Sequence, residues 1–391
     1  MSDVFMNTYR RLPAVFVRGE GAWLIDTAGK RYLDFTAGIA VNCLGHGYPP
    51  LVRALSEQAA KLIHTCNYYQ SDVSAAFAER LVAACSGAGM KRVFLGNSGA
   101  EANEGACKIA RKYSLRKYGN GRHRIVTLKG SFHGRTITTL AATGQDHFHR
   151  DFGPFTEGFL HISPGDAEAL DRALDPASVC GFMFEPIQGE SGVIPQDGAY
   201  MQTAARLCAE RDILLMADEI QTGVGRTGTF LACEGLGIRP DIVTLAKGLA
   251  GGIPAGAVLA GEKAGEVFEP GDHGSTFGGN PMAAAAGMVV LETVTVPAFL
   301  AEIRGKGEKI LNTLRSWNHP KIGDIRGRGL MIGLDLSIEV RPVLEAALAG
   351  SRGGPGLLIL SAGEKTLRFL PPYIISGAEI DQGLKLLRNC L

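Results

Sequence analysis

Apolar and polar positions change period several times along the chain, and those changes divide it. Near the start the period is two: Val15–Arg18 and Ala22–Asp26 alternate, and the turn Thr27-Ala28-Gly29-Lys30 leads into Arg31–Phe35. Such alternation around a turn predicts a small antiparallel unit. From Leu51 to Leu62, and again from Ala75 to Ala84, apolar residues recur at helical spacing. Short apolar runs and helical stretches then alternate as far as Val290. The runs are Arg92–Leu95, Arg124–Leu128, Gly181–Phe184, Ile213–Ala217, Ile242–Leu245 and Ala257–Ala260. The helical stretches are Ala100–Tyr118, Ala167–Leu174 and Gly198–Arg211. This succession predicts an α/β fold with a mostly parallel central sheet, covered on both faces. A helix begins at Ala283, and the chain breaks at Pro297. Beyond it, Phe299–Leu314, Gly329–Leu336, Lys365–Phe369 and Glu379–Leu387 predict a small α+β unit.

Composition narrows the class. The chain has 391 residues, 46% hydrophobic and 20% charged, with a formal net charge of +1. That length supports one large domain and a smaller one. The charge balance leaves no electrostatic footprint for nucleic acid or for an anionic membrane. No apolar run approaches a membrane span and no leader is visible, so neither membrane nor secretion is expected. The eight cysteines are scattered without a CxxC pair. They suit buried thiols in a reducing cytoplasm, and no metal site is expected.

Two charged residues stand at the ends of buried runs: Asp218 after Leu214-Leu215-Met216-Ala217, and Lys247 after Ile242–Ala246. The edge where parallel strands give way to loops is where α/β sheets place ligands. One cofactor chemistry uses such a pair. Pyridoxal phosphate (PLP) takes a lysine Schiff base and an acid beside its pyridine nitrogen. At about 4 Å and an effective dielectric near 20, that attraction is worth about 4 kcal/mol. This amounts to roughly 3 pKa units, enough to keep the nitrogen protonated. A strand-end salt bridge from Asp218 to an arginine, with Lys247 merely solvated, accounts for the stretch equally well.

Other strand ends carry compatible chemistry. In Gly96-Asn97-Ser98-Gly99-Ala100-Glu101, Ser98 and Glu101 form a capping-box pattern at a helix start, a place that suits phosphate. Ser131-Phe132-His133-Gly134-Arg135 offers a ring for stacking and an arginine for a carboxylate, and His133 reads as a supporting residue. Glu185-Pro186-Ile187-Gln188-Gly189-Glu190 carries two acids, without a metal or glycosidase pattern around them. Gly223, Gly225 and Gly228 form no strand-GxGxxG-helix unit, which argues against a dinucleotide site. The loop His273–Pro281 is polar and glycine-rich, and Arg368 sits on a late strand.

Taken in order, NSGAEAN, SFHGRT, EPIQGE, DEIQTGVGRTG, AKG, HGSTFGGNP and RFLPP resemble the class III PLP-dependent aminotransferases over nearly the whole chain. The nearest resemblance is to members that use N2-acetyl-L-ornithine. It implies the PLP-transferase type I fold: a large PLP-binding domain over 51–297, and a small domain built from residues 1–50 and 298–391. It also implies a homodimer with shared active sites. Lys247 resembles the Schiff-base lysine and Asp218 the partner of the pyridine nitrogen. Gln221 resembles the residue near the phenolic oxygen, Phe132 and Ile220 the two ring contacts, and Ser98, Gly99 and Ala100 the phosphate cup. Thr276, beside Ser275, resembles the residue that reaches the neighbouring subunit's cofactor phosphate.

Arg135, with Tyr9 nearby, resembles the clamp for the donor's α-carboxylate. Glu190 and Arg368 resemble a gate that opens for 2-oxoglutarate or glutamate. The implied reaction moves the terminal amine of N2-acetyl-L-ornithine to 2-oxoglutarate. Acylated donors are favoured by His133 and Ile39, where ornithine enzymes tend to carry aromatic residues. N-Succinylornithine, N-succinyl-diaminopimelate, ornithine and 4-aminobutyrate are the alternative donors.

Overall fold

The computed structural model describes residues 4–391. At its centre is a seven-stranded sheet in the order Met90–Gly96, Gly256–Gly261, Ile242–Leu245, Leu214–Asp218, Val179–Phe184, Arg124–Leu128 and Phe159–Ile162. Only Gly256–Gly261 runs against its neighbours. The other six therefore end at one edge of the sheet. Phe159–Ile162 lies outside the sequence expectation. It is a half-buried edge strand of four residues, too short to display either an apolar run or an alternation.

The 20-residue helix Gly99–Tyr118 packs on this sheet through Ala102, Ala106, Ile109 and Ala110. Its small side chains let helix and strands approach closely. Phe182 and Phe184, both fully buried, have near-parallel rings 5.9 Å apart within the core. Burying side chains of this size stabilises the fold by about 1.5–3 kcal/mol each. The Pro281–Val294 and Pro297–Ser316 helices meet at 76°, so the chain turns where proline interrupts the backbone bonding. Among the described residues, no single helix is long and apolar enough to cross a membrane.

Two four-stranded sheets and a two-stranded one, Ile187–Gln188 with Ile194–Pro195, accompany the central sheet. Phe16–Glu20, Trp23–Asp26 and Arg31–Asp34 form an antiparallel set, and Gly356–Leu358 adds to it in parallel with Arg31–Asp34. The two ends of the chain thus share a sheet. Ile322–Arg328, Met331–Leu336, Thr366–Phe369 and Leu360–Ala362 form an antiparallel sheet that carries Arg368. The short helices Ile137–Ala142 and Arg341–Ala349 also lie outside the sequence expectation.

Candidate active site

The parallel strands bring their C-terminal ends to one cavity of ≈ 430 Å³. Its lining includes Ser98, Gly99, Ala100, Phe132, Arg135, Asp218, Ile220, Gln221 and Lys247, nine of the residues singled out in the sequence. The volume is in the range of pockets that take cofactors and small molecules. Gly256 lets the antiparallel strand start against this edge, since a Cβ there would lie 2.2 Å from Ser98 O.

Asp218 closes its strand and is 3% exposed. Its Oδ2 accepts from His133 Nδ1 at 2.7 Å and from Asn103 Nδ2 at 2.8 Å, and its Oδ1 accepts from Ile220 N at 3.1 Å. A carboxylate only accepts, so Nδ1 of His133 carries the hydrogen. Asn103 also donates to His133 O at 2.7 Å, which fixes the pair from behind. Asn103 is absent from the sequence expectation. In a helix with polar residues on several faces, only tertiary packing reveals that this one points inward.

Lys247 begins the one-turn helix Lys247–Ala250 with φ of 46°. A non-glycine residue in that region stores about 1–3 kcal/mol, a cost that concentrates at functional positions. Burial lowers its pKa, and Arg368 lowers it further; Glu190, Asp218 and Glu185 act in the opposite direction without cancelling the effect. The result is an amine whose neutral form is more accessible than in free lysine.

The helix start departs from the capping box. Ser98 Oγ accepts from Glu101 N at 3.2 Å, as expected, but Glu101 Oε2 takes the N–H of Asn97 at 2.6 Å. The reach is one residue longer, and no side chain among the described residues caps Gly99 N or Ala100 N. These N–H groups, at the positive end of a 20-residue helix, face the cavity.

At the cavity margin, Arg368 Nη1 donates to Glu190 Oε1 at 2.7 Å, to Gly189 O at 3.0 Å and to Gln221 Oε1 at 3.2 Å. Arg368 is 3% exposed, and its Nε has no partner among the described residues. Burial pushes the Glu190 carboxyl up; Arg368, Lys247 and Arg135 more than reverse this and hold it below its usual value. Gly189 permits this contact, because a Cβ there would lie 2.5 Å from Gln221 Nε2. Glu185, also in the lining, accepts from Phe132 N at 2.8 Å and Gly189 N at 3.3 Å. Burial pushes its carboxyl up to about 7.

Five expected residues are not part of the cavity lining in the single chain: Glu190 and Arg368, which stand at its margin, and Tyr9, Ser275 and Thr276. Tyr9 is 71% exposed near Arg11. Ser275 Oγ accepts from Asn97 Nδ2 at 2.9 Å but lines a neighbouring depression, and Thr276 is exposed on the same loop. Ile39 is exposed as well, whereas Val41 lines the cavity. No group of three or more His, Cys, Asp or Glu side chains among the described residues is placed to hold a metal ion.

Residues 4–391 match the family described as Aminotransferase class-III. The chain belongs to that family. It is 47% identical to an acetylornithine aminotransferase of Caldanaerobacter subterraneus, covering 99% of this chain and 96% of the relative. The figures for acetylornithine aminotransferase 1 of Bordetella pertussis are 47%, 99% and 97%. Among solved structures, an ornithine aminotransferase from Toxoplasma gondii superposes with a TM-score of 0.93 at 33% identity, covering 99% of this chain and 91% of that one. N-acetylornithine aminotransferase from Stenotrophomonas maltophilia gives 0.83 at 38% identity, covering 98% and 96%.

The chain is a PLP-dependent transaminase on the fold of these enzymes. Its own residues fit that cofactor. Uncapped N–H groups at a helix start suit a phosphate, Phe132 and Ile220 offer apolar surfaces for a ring, and Asp218 suits a pyridinium. Lys247 offers an amine with a lowered pKa. The donor set matches the group at both its phosphate and its ring.

Proposed function

We propose that this transaminase moves the terminal amine of N2-acetyl-L-ornithine to 2-oxoglutarate, giving N-acetylglutamate 5-semialdehyde and glutamate, as in arginine biosynthesis. One arrangement carries the reading: two arginines at the site, Arg135 unpaired among the described residues and Arg368 covered by Glu190. A pocket that must take a monocarboxylate amine and then a dicarboxylate needs one permanent carboxylate clamp and one that can be uncovered. The 47% identity to acetylornithine aminotransferases supports the acylated donor. His133 supports it only indirectly, since its side chain is buried against Asp218.

PLP, when bound, supplies a carbonyl carbon for the donor's amine and a ring that draws electrons from the carbon bearing it. Lys247 holds the cofactor before substrate arrives. Its amine, with a lowered pKa, would be the base that takes the proton from the amine-bearing carbon of the donor. Asp218, oriented by His133 and Asn103, keeps a positive charge favourable at the ring nitrogen. Gly99 N, Ala100 N and the Ser98 hydroxyl bind phosphate, while Phe132 and Ile220 hold the ring plane. Gln221, in the cavity lining, would meet the phenolic oxygen. Arg135, with Tyr9 drawn near, binds the donor's α-carboxylate. In the second half, Arg368 leaves Glu190 and binds the α-carboxylate of 2-oxoglutarate.

The active unit in this reading is a cytoplasmic homodimer, and Thr276, next to Ser275, reaches the cofactor phosphate of the other subunit. Ile63, Tyr68, Tyr69 and Phe277 support it: they are 61%, 95%, 73% and 61% exposed. The rings of His64 and Phe277 lie 5.4 Å apart, so these segments form one surface. Exposed apolar residues grouped in this way suit an interface between two copies of the chain. Residues 51–297 act as the PLP-binding domain, and 1–50 with 298–391 as the small one; the sheet shared by Arg31–Asp34 and Gly356–Leu358 supports that division.

A half-reaction tests the proposal. PLP-loaded protein mixed with N2-acetyl-L-ornithine alone should release one aldehyde per site, and glutamate should form only when 2-oxoglutarate is added. Absence of aldehyde without acceptor would remove the two-step reading.

A further inference from the structure

Among the described residues, Arg135 is a cation without an anion. Its guanidinium makes no hydrogen bond or ion pair with any described residue, and what it touches is aromatic. Its Cζ stands 4.1 Å from the ring centroid of Phe148 and 5.6 Å from that of Phe132. The two rings meet edge to face, 5.8 Å apart at 72°.

Phe148 ends the one-turn helix Asp146–Phe148, in a stretch that carries no recognisable motif. Its ring is half-buried and lies 3.9 Å from that of His147. The backbone on either side is anchored. Gln145 Nε2 donates to Ser131 O at 3.0 Å, and His149 Nε2 donates to Leu140 O at 2.9 Å. The ring is therefore a fixed surface, tied to the loop that carries Phe132 and to the helix that follows Arg135.

The chemistry of the support matters. An aromatic face attracts a guanidinium through its quadrupole and leaves the N–H edge unoccupied. A carboxylate in the same place would orient Arg135 equally well, but it would fill those donors and compete with an incoming carboxylate. Support by a ring keeps the paired donors of Arg135 available for two parallel bonds to a ligand.

We propose that Phe148 is a positioning residue for donor specificity: its ring carries the Arg135 guanidinium in the attitude that receives the donor's carboxylate. The proposal rests on the reading of Arg135 as the α-carboxylate clamp. It adds a specificity determinant outside the seven motifs that carry the resemblance.

The test compares N2-acetyl-L-ornithine with N-acetylputrescine, which differs only in lacking the carboxylate, on PLP-loaded wild type, Phe148→Leu, Phe148→Trp and Arg135→Ala. Binding of N-acetyl-L-norvaline, which has the carboxylate but no terminal amine, is measured by calorimetry on the same samples. In Phe148→Leu, the ratio of kcat/KM for the carboxylated to the decarboxylated donor should fall about three- to fivefold, mainly through KM. N-Acetyl-L-norvaline should weaken by a similar factor, and Phe148→Trp should restore both. If Phe148→Leu fails to retain the cofactor's visible absorbance, Phe148→Met, closer in volume and equally without a π face, carries the same expectation.

A wild-type ratio in the Phe148 variants, with a collapsed ratio in Arg135→Ala, overturns the proposal and leaves the clamp intact. A wild-type ratio in Arg135→Ala overturns the clamp, and the role of Phe148 falls with it.

Discussion

Arg368 Nη1 and Glu190 Oε1 stand 2.7 Å apart, and the same Nη1 reaches Gly189 O and Gln221 Oε1. This guanidinium is tied at once to an acid, to the backbone beside that acid and to the residue proposed to lie near the cofactor's phenolic oxygen. A buried cation in this position is costly without its anion. Replacing one anion by another, a substrate carboxylate, is therefore an exchange of partners, with no naked charge left behind.

Glu190→Ala should shift the balance of the two half-reactions. With Arg368 uncovered, kcat/KM for 2-oxoglutarate relative to the amine donor should rise about tenfold or more, corresponding to about 1.4 kcal/mol. Steady-state kinetics of each half-reaction measures this, and an unchanged ratio refutes the gate.

Asp218→Asn removes the charge while keeping the size. At about 4 Å and an effective dielectric near 20, the lost attraction to a pyridinium is about 4 kcal/mol. The rate should therefore fall about a thousandfold, with an intact fold by circular dichroism. A loss below tenfold would show that Asp218 does not serve the ring nitrogen.

Lys247 gives a pH signature in the cofactor-free protein. Its folded pKa lies below the ordinary 10.5 of lysine, chiefly through burial. Between the folded pKa and 10.5 the unfolded chain binds more protons, so this group makes stability rise with pH. Below the folded pKa its penalty is at full size. Lys247→Met should therefore be more stable than wild type at low and neutral pH, and the difference should shrink as pH climbs towards 10.5. Thermal melts across that range check the sign; a difference that grows with pH contradicts it.

The exposed surface of Ile63 and Phe277 sets a fourth expectation. If the proposed homodimer forms here, Ile63→Glu combined with Phe277→Glu should convert a two-chain species into one chain by light scattering, and PLP retention should weaken with loss of the contact proposed for Thr276. A dimer that persists with full retention would place the interface elsewhere.

The inner strands of the central sheet were legible because they are buried on both faces and read as apolar runs, whereas the half-buried edge strand Phe159–Ile162 was not. Asp218 and Lys247 stood out as charges closing such runs, and parallel topology brought them to the same edge. What escaped depends on packing that no period records. Asn103 lies inside a helix and becomes an Asp218 partner only when helix and sheet meet. Phe148 ends a one-turn helix, and its contact with Arg135 has no sequence spacing to announce it. The helix cap followed its pattern at Ser98 but moved by one residue at Glu101, a shift only coordinates register. Tyr9 and Thr276 were recognisable from motifs, yet neither lines the cavity of the single chain.

The most direct measurement is kcat/KM for five donors side by side, with 2-oxoglutarate as acceptor and PLP-loaded protein. The donors are N2-acetyl-L-ornithine, N-succinylornithine, N-succinyl-diaminopimelate, ornithine and 4-aminobutyrate. The account predicts that N2-acetyl-L-ornithine leads by about tenfold or more, about 1.4 kcal/mol in the transition state. A lead for ornithine or 4-aminobutyrate would contradict the proposed substrate.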